Sequence, residues 1–144
     1  MTTDLSLRVT QSVPAKPERV FDAWLDPEMI RRFMLTGPGT GVKSATNDPR
    51  VGGRYDIVMT NDMGEIPHWG EYREIDRPNR LIFTWNSPHA APDSLVTLTF
   101  EPEGAGTLVT LFHEKFPSEG SRDGHEKGWT GILGTLADVL GTTA

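Results

Sequence analysis

The strongest constraint on this chain lies in its last third, where a strand pattern runs directly into a helix pattern. Thr107, Val109, Leu111 and His113 alternate along a strand that spans about Thr107 to Lys115. A short polar loop follows, and a helix is predicted from about Arg122 to Leu140. At 100° per residue, His125, Trp129, Ile132, Leu133, Leu136, Val139 and Leu140 share one face of it. A histidine is thus written into the face that a terminal helix buries. The chain must lay that helix over a sheet and leave polar groups at the seam, where a pocket can form.

The rest of the pattern says what sheet the helix covers. Leu5 to Val13 alternates as a half-buried strand does. Pro17 suits a first helical position, with Val20, Phe21 and Trp24 on the inner face. Asp26 can cap a second short helix that begins at Pro27 and turns Met29, Ile30 and Phe33 inward. Gly37 to Pro49 reads as a loop. Strands follow at Tyr55–Thr60, about Pro67–Ile75, Leu81–Trp85 and Ser94–Phe100. The turns between them are Asn61–Gly64, Asp76–Arg80 and Gly104–Gly106, with a loop from Ser87 to Asp93. Short turns between neighbours predict an antiparallel meander of about six strands. With its covering helix the expected class is α+β, one domain over residues 1–144.

Several functions are disfavoured. The formal net charge of −6 argues against a nucleic-acid partner, which needs a basic footprint. No apolar run approaches the roughly 18 residues of a membrane helix. No basic-then-apolar leader opens the sequence, so a cytoplasmic location is expected. Without cysteine, thiolate chemistry and disulfides are excluded. Gly37-Pro-Gly-Thr-Gly-Val-Lys-Ser44 nearly spells a phosphate loop, but Val42 stands where the second glycine belongs and no helix pattern follows. His68, His89, His113 and His125 lack ligand spacing, so no metal and no cofactor is expected, although His113 and His125 can meet in space. No serine sits in a nucleophile elbow. Acid–base chemistry would fall to His113, His125, Tyr55, Tyr72 or a carboxylate such as Glu71, and the histidines are the catalytic candidates.

The positive sign is aromatic. Trp24, Phe33, Tyr55, Met59, Trp69, Phe83, Trp85, Phe116 and Trp129 are spread over every element. With His113 and His125 they are the expected ligand-binding set for a partly hollow interior carrying a few polar tips. Gly124, Gly128 and Gly131 form a smooth stripe beside the apolar face of the terminal helix. Each interior glycine costs roughly 0.8–1 kcal/mol against alanine. The stripe suggests close approach of another backbone, either from this chain or from a second copy in a homodimer.

Val20-Phe-Asp-Ala-Trp-Leu-Asp-Pro27, Gly52-Gly-Arg-Tyr55, Gly70-Glu-Tyr-Arg-Glu-Ile75, Arg80-Leu-Ile-Phe-Thr-Trp85 and His125-Glu-Lys-Gly-Trp129 occur in order along the chain. Together they resemble the family of homologues of the activator of heat-shock protein 90 ATPase, within the START and birch-pollen-allergen-like (SRPBCC) superfamily. The resemblance implies a helix-grip fold, a curved antiparallel sheet around a long C-terminal helix, with a cavity that takes a hydrophobic or aromatic ligand. It also implies two alternatives: a cavity enzyme of cyclase, dehydratase or hydrolase type, and a chaperone-partner module that stimulates an ATPase. The co-chaperones behind the family name carry a separate N-terminal domain that is not seen in this sequence. Two departures stand out: Arg32-Phe-Met34 replaces a tryptophan pair common in relatives, and Lys16 precedes Pro17 where a stronger cap is usual.

Overall fold

The computed structural model describes residues 5–37, 39–88, 93–116 and 118–141. The order of elements is β1 (Ser6–Val13), α1 (Pro17–Ala23), α2 (Pro27–Phe33), β2 (Gly41–Asn47), β3 (Arg54–Asn61), β4 (Gly64–Asp76), β5 (Arg80–Trp85), β6 (Ser94–Glu103), β7 (Gly106–Glu114) and α3 (Glu119–Gly141). All strands pair antiparallel in one sheet of order β1-β7-β6-β5-β4-β3-β2. The last six form a meander, and β1 returns to close on β7. Helix α3 lies across the inner face beside β1, and α2 lies between α3 and β2. This is an α+β, helix-grip arrangement.

Local chemistry explains the helices. Pro17 and Pro27 each stand in a first turn, where the missing N–H has no intrahelical partner to lose. The Asp26 carboxylate accepts the Glu28 N–H at 3.0 Å. Lys16 contributes no side-chain cap, so α1 depends on the burial of Val20 and Phe21. The Ser118 hydroxyl accepts the Ser121 N–H at 3.1 Å, so α3 starts at Glu119, three residues before the predicted Arg122. Gly120 and Gly124 weaken the helical pattern there, and the cap compensates.

The sheet has one more strand than predicted. Gly41–Asn47 is not loop but β2, an edge strand paired with β3 through a shift between Val42 and Ser44. Its side chains are mostly half-buried or exposed. Edge strands with that pattern show little alternation, and only the pairing to β3 reveals them. Along the remaining strands the predicted faces hold: Tyr55, Ile57, Met59, Leu81, Phe83, Trp85, Val96, Leu98, Phe100, Val109 and Leu111 are all buried on the inner face.

Two glycines are required by close approach. A Cβ on Gly70 would meet the Thr84 carbonyl oxygen at 2.0 Å and the Tyr55 ring at 2.6 Å, so β4 presses on β5 and on Tyr55 here. A Cβ on Gly131 would meet the Thr36 carbonyl oxygen at 2.3 Å. The stripe on α3 therefore does admit a backbone, and it is that of the segment after α2. Gly134, one turn on, has open space at its Cβ position.

This contrast makes a matched test. Gly131→Ala should lower stability by about 1–3 kcal/mol through overpacking against backbone. Gly134→Ala should raise it by roughly 0.8–1 kcal/mol through helix propensity alone. Urea unfolding curves check both, and midpoints that move the same way would contradict the packing described.

Candidate ligand cavity

The meander and α3 do not close on one another along their full length. The C-terminal half of α3 buries Ile132, Leu133, Leu136 and Leu140 in the core. Its N-terminal half stands off from β3 and β4 and leaves a cavity of about 590 Å³. The size falls within the range of small-molecule sites. Met59, Ile66, Trp85, Trp129 and Ile132 supply apolar walls; Thr36, Thr60, Asn61, His68, Ser87, Ser121 and His125 supply polar groups; Gly124 and Gly128 leave the helix side of the space unfilled. Among the described residues, no Asp, Glu, Lys or Arg lines the cavity.

Trp85 and Trp129 meet with ring centroids 4.8 Å apart and planes at 57°. A single hydrogen-bonded chain holds this pair. An indole N–H can only donate, so the 3.0 Å contact of Trp129 Nε1 with His113 Nδ1 makes Nδ1 the acceptor. The His113 proton is then on Nε2, which donates to Ser94 Oγ at 2.9 Å. Ser94 Oγ in turn donates to the Trp85 carbonyl at 2.6 Å. The register produces this alignment: Ser94 pairs with Trp85, Val96 pairs with His113, and α3 lays Trp129 over both. His113 is fully buried, and both its ring nitrogens are engaged. Burial first, and the neighbouring His125 ring second, lower its pKa to about 3. A neutral ring with no exposed nitrogen serves as a structural pin and is poorly placed for proton transfer to a ligand.

His125 is different. It lines the cavity, and its Nδ1 lies 2.7 Å from the Ser121 carbonyl, an acceptor only. Nδ1 therefore carries hydrogen, and in the neutral ring the lone pair is on Nε2. The His113 and His125 rings do meet, with centroids 5.4 Å apart. Burial also raises the Tyr55 phenol well above its ordinary pKa and raises Tyr72, so both stay protonated at neutral pH.

Of the residues predicted to bind ligand, Met59, Trp85, His125 and Trp129 line the cavity. Trp24, Tyr55 and Phe83 instead border a chamber of about 20 Å³ that shares the Trp85 wall. Phe116 packs on His113 at 4.4 Å and on His125 at 5.1 Å, behind the cavity wall. Phe33 is core, edge-on to Trp24 at 4.9 Å. Trp69 pairs with Asp56, which alternates with inward Tyr55 and Ile57, so it belongs to the outer face of the sheet. His68, its neighbour, takes the inner position and meets Trp85 in a tilted contact with ring centroids 4.7 Å apart. Parity with Tyr72 on the same strand was the signal that could have chosen His68 over Trp69. Nothing local marked Thr60, Asn61, Ser87 or Ser121. His89 lies outside the described residues.

The family described as activator of Hsp90 ATPase homolog 1-like protein matches residues 14–141. A crystal structure from Chromobacterium violaceum is similar with TM-score 0.85 and 25% identity, over 94% of this chain and 96% of that one. The AHSA1-like protein from Aeromonas hydrophila aligns with TM-score 0.80 at 23% identity, over 95% and 92%. CalU16 from Micromonospora echinospora aligns with TM-score 0.72 at 27% identity, over 95% and 76%. No curated protein matches the chain.

The His113 pin predicts an acid sensitivity. Its pKa is lower folded than unfolded, so its contribution is complete above the ordinary value of 6.5 and is lost as pH falls toward about 3. In that window it should remove roughly 1.4 kcal/mol of stability per pH unit. His113→Gln, whose amide can both accept from Trp129 and donate to Ser94, should lose this slope between pH 6.5 and 5. Equal slopes in denaturation series of the two proteins would refute the assignment.

Proposed function

The chain belongs to the activator of Hsp90 ATPase homolog 1-like family, and from that premise we propose that it binds a small, uncharged, hydrophobic or aromatic molecule between the sheet and α3. The observation that carries this reading is the cavity itself: about 590 Å³, walled by the Trp85–Trp129 pair, with neutral polar groups and no charged side chain among the described residues that line it. Aromatic faces reward flat apolar ligands. A buried charge on the ligand would find no counter-charge among the described lining residues and would be disfavoured. His68, His125, Asn61 and Ser121 would orient the ligand's polar atoms.

One observation favours a second reading, an enzyme. The Ser121 carbonyl holds the His125 Nδ1 hydrogen and so turns the basic nitrogen of the neutral ring to Nε2. That is the arrangement a general base needs. The molecule recovered with His125→Gln would then differ in mass from the one recovered with the natural protein. The family name points to a third role, chaperone ATPase stimulation, for which the cavity has no evident use.

Binding can be read with N-phenyl-1-naphthylamine, a neutral aromatic probe, since two of the four tryptophans line the cavity. Gly128→Leu should fill the space from the helix and weaken binding by at least about tenfold, while helix propensity improves. Trp69→Ala should leave affinity unchanged. Undiminished binding by a folded Gly128→Leu protein would sink the assignment of the cavity as the site.

A further inference from the structure

Trp85 borders two spaces. On one side is the ligand cavity; the other is the chamber of about 20 Å³, whose walls include Trp24, Ile30, Tyr55, Tyr72 and Phe83. Around 10–15 Å³ suffices for one water. The indole nitrogens of Trp24 and Trp85 are both buried, and neither has a hydrogen-bond partner among the described residues. The Trp129 indole, by contrast, is bonded to His113. Leaving a buried donor unmet is costly, and both of these indoles belong to residues that border the same small chamber.

Tyr55, which borders the chamber, also carries an acceptor. The Tyr55 hydroxyl donates to the Thr84 carbonyl, so its oxygen keeps lone pairs. Tyr72 is tied down by Asn47, whose Nδ2 donates to the phenol oxygen at 3.0 Å. Among the described residues, no charged side chain lines the chamber. An anion there would be buried without a counter-charge, whereas a neutral oxygen can accept from two indoles and donate to one phenol.

We propose that this chamber is a binding site for one neutral oxygen, which accepts hydrogen bonds from both Trp24 Nε1–H and Trp85 Nε1–H. The oxygen belongs either to a water molecule or to the hydroxyl end of a molecule in the adjoining cavity. The water form stands whether or not the cavity binds a ligand; the hydroxyl form rests on the function proposed above.

The test uses the full-length ¹⁵N-labelled protein and the magnetisation-transfer contacts of its indole N–H signals. Trp24→Phe and Trp85→Phe assign the two signals, and through-space assignment on the natural protein replaces either variant if it fails to fold. Both signals should show a contact with water of the sign given by a long-lived bound molecule. The Trp129 signal should not, and it is the internal control. Contacts from both indoles to carbon-bound protons of a co-purified small molecule would instead assign the oxygen to that molecule. A contact at only one indole, at neither, or equally at Trp129 overturns the proposal.

Discussion

The structure depends on one buried histidine that is held neutral from both sides. Trp129, His113, Ser94 and the Trp85 carbonyl form a chain in which each hydrogen has one possible direction. It joins α3, β7, β6 and β5 at a single point. Unpaired, His113 would carry a desolvation cost that this core could hardly sustain. Paired, it determines the position of one indole wall relative to the backbone that bears the other. The geometry of the cavity is therefore set from behind, by His113 and Ser94, which do not line it.

The same helix is divided between packing and vacancy. From Trp129 to Leu140 it buries large side chains, and at Gly131 it comes so close to Thr36 that no Cβ fits. Toward Ser118 the glycines have the opposite consequence, because Gly124 and Gly128 leave space that a larger residue would occupy. An interior void lowers stability, since its lining loses contacts. The close approach at Gly131, the cap at Ser118 and the His113 chain brace the helix on either side of that void.

Fold and cavity contents are separable. The chain shares its architecture with relatives at 23–27% identity, so the helix-grip frame tolerates wide substitution. Function rests on the site carried by the frame. Here the proposed site is neutral in charge and aromatic in its walls, properties that belong to Trp85, Trp129, His68 and His125 and to the absence of charged side chains among the described lining residues.

The order of elements other than β2, the start of α1 at Pro17, the Asp26 cap of α2, the inward faces of β3, β5, β6 and β7, and the amphipathic face of α3 could all be read from local residue pattern. Side-chain direction is a local property of helix and strand, so spacing alone carries it. Edge strand β2 could not be read, because its identity depends on pairing with β3 and not on its own alternation. Nor could the choice between Trp69 and His68 be made by residue type, since strand parity outweighs it. What the sequence by itself determined is which residues face the interior. Whether those residues touch, as at His113 and Phe33, or stand apart around a void, as at Met59 and His125, was decided only by the distance between sheet and helix. That distance is set jointly by contacts far apart in the chain, such as Gly131 on Thr36 and Trp129 on His113, and no local pattern encodes it.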